Sequence, residues 1–338
     1  MPRVPLVTAA AGCGGSGREL ARFGDLSHLD AVHLGPVVAR PTAEEPVTGG
    51  APSPSRLSGA PGPSRRDGGA VPQRSRLLPT PSGLVHRPAP GLPVGHVVQD
   101  LLPWFRARGL QVILAVRGST VGDVVVTLQA LRRSLDFSAV AGVEVDLATS
   151  RQESLPAIGG LTTTAPATAW SADPQACLKL LAAAREQLPR DLLLLAKLGG
   201  ECPDPVATAR GAVGGGARAL VLSGSVPAMA EGQHLVGPAT AVITLGLVTR
   251  IRAAILAARV PDVPLVAVGG VRDPQSALAA RAAGAAGAQL GSALFADPAV
   301  LWEVHAALVN AGSPGASLPD PPVRQHPALP PDPGETHD

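Results

Sequence analysis

A chain of 338 residues, 45% of them hydrophobic, is long enough to bury one large core or two modest ones. A formal net charge of +2 argues against a surface built for nucleic acid or an anionic membrane. Aromatic residues make up only 2% and tyrosine is absent, so the core has to come from Ala, Val and Leu. The N-terminal apolar run is too short for a signal peptide, and no unbroken apolar run reaches the ~18–20 residues of a membrane helix. Three cysteines, Cys13, Cys177 and Cys202, lie far apart with no CxxC pair. That spacing argues against a zinc or iron–sulfur site and fits a reducing compartment, so the expected location is cytoplasmic. The eight histidines show no HxH or HExxH spacing, and no metal site is expected.

In chain order, short apolar runs alternate with helix-length amphipathic stretches. The strand candidates are PLVTAAA (5–11), AVHLGPVV (31–38), QVILAVRG (111–118), GVEVDLA (142–148), LLLLAKL (192–198), ALVLSG (219–224), PLVAVGG (264–270) and GAQLGS (287–292). Continuous apolar runs of this length suit strands buried on both faces, as in parallel sheets. Helices are expected from Gly17, through VVQDLLPWFRARG, which kinks or starts at Pro103, from near Asp123, and over LGLVTRIRAAILAAR. Four more open on Asp-Pro, at Asp173, Asp204, Asp273 and Asp297, which pairs an N-cap with a proline in the first turn. Half of Pro41–Arg76 is Pro, Gly or Ser, and the tail from Ser313 holds eight prolines in 26 residues. Neither composition can bury a core.

Eight strands alternating with helices predict an α/β protein, a (β/α)8 TIM barrel over 1–312, with a doubly wound open sheet as the alternative. A disordered Pro/Gly/Ser-rich insertion (41–78) interrupts the barrel, and a disordered Pro-rich tail (313–338) follows it. A barrel places its site at the C-terminal strand ends. The seventh strand ends in Gly269-Gly270 and the eighth in Gly291-Ser292. Glycines there let backbone N–H groups approach phosphate oxygens, and Ser292 adds a hydroxyl. The competing reading is that these glycines only make tight turns. Lys197 closes an apolar strand, where it would stabilise negative charge or simply reach solvent.

With these residues in place, the chain resembles the dihydroorotate dehydrogenase family, most closely class 1, over about Pro5 to Pro298. The resemblance is carried by AAAGCGGSGRELARFGDLSHLDAV near the start, PTPSG at 79–83, Lys197 in LLLAKL, and the stretch from Gly269 to Pro298. It implies a TIM barrel holding FMN, with the phosphate at Gly269, Gly270, Gly291 and Ser292. The flavin ring would lie over Ala10, Ala11 and Gly12, and Lys197 against its pyrimidine edge. It also implies dihydroorotate as substrate, pyrimidine biosynthesis as the setting, and a homodimer, in some class 1 enzymes with an iron–sulfur partner subunit.

The departures lie at the pyrimidine end. Gly35 stands where the family has a lysine, His86 where it has an asparagine, Ala115 and Asp146 where it has asparagines, and Ser223-Gly224 where it has Asn-Thr. Thr149 falls at the place of the catalytic base, with Ser150 beside it. Ala, Pro and Gly cannot supply the paired donors and acceptors of asparagine. Three readings follow: a diverged FMN-binding protein with altered or lost substrate chemistry, a working dihydroorotate dehydrogenase using Thr149 or Ser150 as base, or a cofactor-free pseudoenzyme acting as a structural or interaction protein. His33, His86, Cys13 and Asp146 are the further residues placed near the barrel top.

Overall fold

Runs of Val, Leu, Ala and Ile bounded by Gly and Pro form strands because both faces of each strand can be buried. The structure, a computed structural model, describes residues 4–39, 77–87, 91–134, 137–151, 168–228 and 233–312. The strands are β1 (Val7–Ala9), β2 (Val32–Val38), β3 (Leu77–Thr80), β4 (Gly83–His86), β5 (Leu92–Pro93), β6 (Val112–Val116), β7 (Val140–Asp146), β8 (Ser150–Arg151), β9 (Thr168–Ala169), β10 (Leu193–Leu198), β11 (Ala219–Ser223), β12 (Val226–Pro227), β13 (His234–Val236), β14 (Leu265–Val268) and β15 (Gly287–Leu290). The helices are α1 (Val94–His96), α2 (Leu102–Arg106), α3 (Val121–Ser134), α4 (Pro174–Gln187), α5 (Pro205–Gly214), α6 (Ala241–Leu256), α7 (Pro274–Ala282) and α8 (Val300–Ala311).

One parallel sheet runs β1-β15-β14-β11-β10-β7-β6-β2-β5. Its first eight members are the eight expected strands, so the (β/α)8 barrel is the architecture observed. β1 lies beside β2, and the Gly12 N–H donates to the Gly35 carbonyl across that seam at 2.7 Å. Side chains alternate along each strand. Leu114, Val145, Leu194 and Leu222 pack outward against the helices, whereas Ile113, Leu195, Val221 and Val266 fill the barrel.

The Asp-Pro starts behave as their chemistry dictates. Asp173 caps α4 by accepting from the Gln175 and Ala176 amides, and Asp204 caps α5 in the same way. Asp273 and Ser276 form a reciprocal capping box on α7. Two expected helices need correction. The segment after Gly17 forms only the 3-10 turn Glu19–Arg22. Around Pro103 the expected break is present: a π-helical stretch, Val97–Leu101, interrupts the helix, and α2 opens at Leu102 with the proline in its first turn. The last helix begins at Val300, with Asp297 bonding the Ala299 amide ahead of it. Of the expected insertion, Leu77 and Leu78 open β3, while residues 41–76, like the tail, lie outside the described residues. Among the described residues, Pro238–Leu256 is long and apolar enough to cross a membrane, with mean hydropathy 1.6. Arg250 and Arg252 interrupt it, and α6 packs on β11 and β14.

A cluster of buried polar residues, His33, Glu144 and Gln289, lies within the barrel. Gln289 donates from Nε2 to Glu144 Oε2 at 2.6 Å, and that oxygen lies 3.7 Å from His33 Nε2. Burial, reinforced by the Lys197 charge and only partly opposed by Glu144, pushes the His33 pKa below its ordinary value. An unfolded chain therefore takes up a proton at His33 near pH ~6.5 that the folded chain refuses. Stability should fall as the pH drops below that value and stop falling once the folded form protonates. His33→Leu should reduce this acid-side slope by up to one proton, about 1.4 kcal/mol per pH unit. Urea melts between pH 4 and 7 check this; an unchanged slope would mean that His33 is protonated equally in both states.

Candidate active site

Parallel pairing brings the C-terminal ends of all eight barrel strands to one rim, and a cavity of about 410 Å³ opens there. Its size falls within the range of small-molecule sites, roughly 300–1,000 Å³. Ala10, Ala11 and Gly12 after β1, Lys197 on β10, Gly269 and Gly270 after β14, and Gly291 and Ser292 after β15 all line it. Thr149 and Ser150 line the same space, as do Cys13, His86, Ala115 and Asp146. His33 does not: it is buried lower in the barrel.

The glycines at the β14 and β15 ends have different reasons to be there. Gly269 and Gly270 have φ of +104° and +75°, and a Cβ on Gly270 would lie 2.5 Å from Ala241. The turn alone requires them. The Thr244 hydroxyl, which donates to the Gly269 carbonyl at 2.7 Å, clamps this turn to α6. Gly291 is different. A Cβ there would meet nothing closer than Cys13 Sγ at 3.6 Å and Ala10 Cβ at 3.7 Å, both ordinary contacts. No neighbouring side chain crowds this position, although its backbone at φ −105° and ψ −100° itself favours glycine, and the missing side chain leaves room in the cavity. The 3-10 helix Ser292–Phe295 follows at once, and its first amides have no acceptor within the helix.

Lys197 is the central charge. It pairs in register with Asp146 on the neighbouring strand, so both side chains face inward at the top of the barrel. Burial alone would lower the lysine pKa, but Asp146, Glu144 and Cys13 together outweigh it and hold the ammonium above its usual range. Asp146 also accepts from the Ala148 amide at 3.0 Å. Burial pushes the Cys13 thiol up to about 11, against a smaller downward pull from Lys197. The backbone holds Thr149 through its carbonyl, which accepts from the Trp170 amide at 3.2 Å. Neither the Thr149 nor the Ser150 hydroxyl has a side-chain partner among the described residues, so nothing there activates it as a base.

Gly35 has a steric reason to be small. Its φ is +116°, and a Cβ would lie 2.6 Å from the Ala115 carbonyl oxygen. A lysine does not fit at that position with this backbone. Sequence reasoning missed His234, Arg117 and Ser225, which also line the cavity. His234 lies on β13, directly opposite His86 on β4, in a four-stranded antiparallel sheet ordered β12-β13-β4-β3. The three-residue run HLV in β13 is too short for alternation to mark it as a strand.

No family model matches the chain. Similar curated proteins are named dihydroorotate dehydrogenase B (NAD(+)), catalytic subunit. That of Geotalea uraniireducens is 27% identical over 312 residues, covering 88% of this chain and 85% of the relative. That of Geobacillus kaustophilus is 26% identical over 309 residues, covering 87% and 82%. That of Bacillus caldolyticus is 25% identical with the same coverage. The chain is thus a distant relative of the dihydroorotate dehydrogenases.

The thiol next to the half-buried lysine gives a direct check on these electrostatics. With a pKa of about 11, about one Cys13 in a thousand is thiolate at pH 8. Alkylation of Cys13 by iodoacetamide, followed by mass spectrometry, should therefore be slow. Lys197→Met should slow it further by removing the charge that favours the thiolate. Rapid labelling of Cys13 at pH 8, or faster labelling in Lys197→Met, would contradict this account.

Proposed function

We propose that this chain is a diverged dihydroorotate dehydrogenase-like flavoprotein that holds FMN in the barrel-mouth cavity, with the dihydroorotate-oxidising end of the site altered. One observation carries this reading: all eight residues predicted to touch the cofactor line a single cavity, and among them Gly291 leaves open space there that no neighbouring side chain fills. The phosphate would be held by the backbone at Gly269, Gly270, Gly291 and Ser292, with the Ser292 hydroxyl as a further donor. Ala10, Ala11 and Gly12 are small enough for a flat ring to lie against them. Lys197 keeps its proton and presents positive charge to the ring edge. Bound FMN would supply a two-electron acceptor for substrate oxidation.

The pyrimidine end supports a changed substrate site. Backbone packing precludes a lysine at Gly35, Ala115 offers no polar atom from its side chain, and the Thr149 and Ser150 hydroxyls lack an activating partner among the described residues. His86, Arg117 and Asp146 supply different polar groups on the same walls. The relatives are by name catalytic subunits of NAD(+)-dependent enzymes, so a further subunit belongs to this reading, alongside the homodimer that the resemblance implies. A small molecule carrying an oxidisable carbon–carbon single bond is the substrate class.

The purified chain should show a flavin absorption spectrum, or acquire one on titration with FMN. Ser292→Asp should leave the melting temperature within a few degrees of wild type and weaken FMN binding by at least ~10-fold, since a carboxylate beside the phosphate repels it. A chain that takes up no FMN, or a Ser292→Asp variant that binds FMN as wild type does, would contradict the proposal. Bleaching of the bound flavin by dihydroorotate separates retained dihydroorotate chemistry from an altered substrate.

A further inference from the structure

Oxidising a carbon–carbon single bond removes a hydride from one carbon and a proton from its neighbour, so the site needs a group that is unprotonated at neutral pH and near the ligand. Few groups around this cavity qualify. The Cys13 thiol holds its proton up to about pH 11. Lys197 is held as the ammonium. Thr149 and Ser150 are alcohols without an activating partner among the described residues. Asp146 has one oxygen engaged by the Ala148 amide and shares a register pair with Lys197.

His234 differs from all of these. Its half-buried ring hangs from the antiparallel sheet that crosses the barrel mouth and lines the same cavity. Its Nδ1 is buried and has no hydrogen-bond partner among the described residues, and a buried polar atom without a partner costs roughly 1–3 kcal/mol. With Nδ1 shut off from the cavity space, a cavity ligand meets the ring through its other nitrogen, Nε2. The charged and titratable groups facing the ring are His86 from β4, Asp146 from β7 and Lys197 from β10, with Arg117 beyond β6 on the cavity wall. Burial lowers the His234 pKa and Lys197 adds to this, against an upward pull from Asp146, so the imidazole is neutral at pH 7.

We propose that His234 is the proton acceptor of this cavity, taking over the role assigned by resemblance to Thr149 or Ser150. This rests on the flavoprotein reading above. The imidazole takes the proton from one substrate carbon while the hydride on the adjacent carbon passes to the two-electron oxidant, a flavin. The electron pair of the broken C–H bond becomes the second bond between the two carbons. The imidazolium that results faces the Asp146 carboxylate, which stabilises it.

The test uses the FMN-loaded full chain and His234→Gln, whose FMN affinities are measured first and should be equal. In anaerobic mixing with dihydroorotate from pH 5 to 9, wild-type flavin reduction should rise with pH through a value below ~6.5 and then level off. His234→Gln should be slower by ~10²–10⁴ and lose that rise, whereas Thr149→Ala and Ser150→Ala should keep it. A His234→Gln variant with the wild-type rate or the wild-type profile would overturn the proposal. Where dihydroorotate does not reduce the wild-type flavin, the substrate is a different one and imidazole NMR decides the matter. A His234 signal, identified by its loss in His234→Gln, that titrates below the ordinary histidine value and shifts when FMN is added supports the proposal. One that titrates at or above that value, or ignores FMN, overturns it. Failure of the wild-type chain to take up FMN instead overturns the flavoprotein reading, and this inference falls with it.

Discussion

The site is organised around one half-buried positive charge. The Lys197 ammonium sits at the top of the barrel interior, where desolvation alone would lower its pKa. It stays charged because Asp146 stands beside it on the next strand and Glu144 one layer below. Glu144 is itself fully buried and bound by Gln289, with His33 close by. Burial lowers the pKa values of His33 below it and His234 above it, and the same charge adds a smaller push in that direction. The barrel interior and the barrel mouth are thus electrostatically a single unit, and removal of Lys197 would disturb both.

Much of this was legible in the sequence, for physical reasons that can be named. The eight strands showed themselves because parallel strands buried on both faces are written as unbroken apolar runs. Asp-Pro announced α4, α5 and α7 because the carboxylate caps and the proline occupies a position whose N–H is unpaired anyway. At Asp297 the same dipeptide misled by a few residues, since the capping geometry there closes a turn ahead of the helix. The segment after Gly17 has the composition of a helix, yet it forms only short turns. The cofactor residues could be placed because a barrel brings all its strand ends to one rim, whatever the loops between them do.

The rest was hidden because it depends on contacts between segments distant in the chain. Nothing local in HLGPVV says that a side chain at Gly35 would strike the Ala115 carbonyl; that follows only from the pairing of β2 with β6. His234 meets His86 through a pairing that spans nearly half the chain. The polar interior did leave a trace: His33, Glu144 and Gln289 are each a polar residue in the middle of an otherwise apolar strand. Such interruptions mark buried polar clusters, and their partners become visible only once the barrel closes. The two glycine pairs show the same divide. Sequence makes Gly269-Gly270 and Gly291-Ser292 look alike, while the structure ties the first to packing against Ala241 and leaves Gly291 facing open space.

The central claim is that the rim between β14 and β15 grips a phosphate. Comparison of FMN with riboflavin isolates it, because the two share the isoalloxazine ring and the ribityl chain and differ only in that group. Calorimetric titration of the purified chain with each should give FMN at least ~100-fold tighter, about 2.7 kcal/mol assigned to the phosphate. Equal affinities would place the recognition in the ring rather than at the glycines. No binding of either would show that the barrel mouth does not hold a flavin.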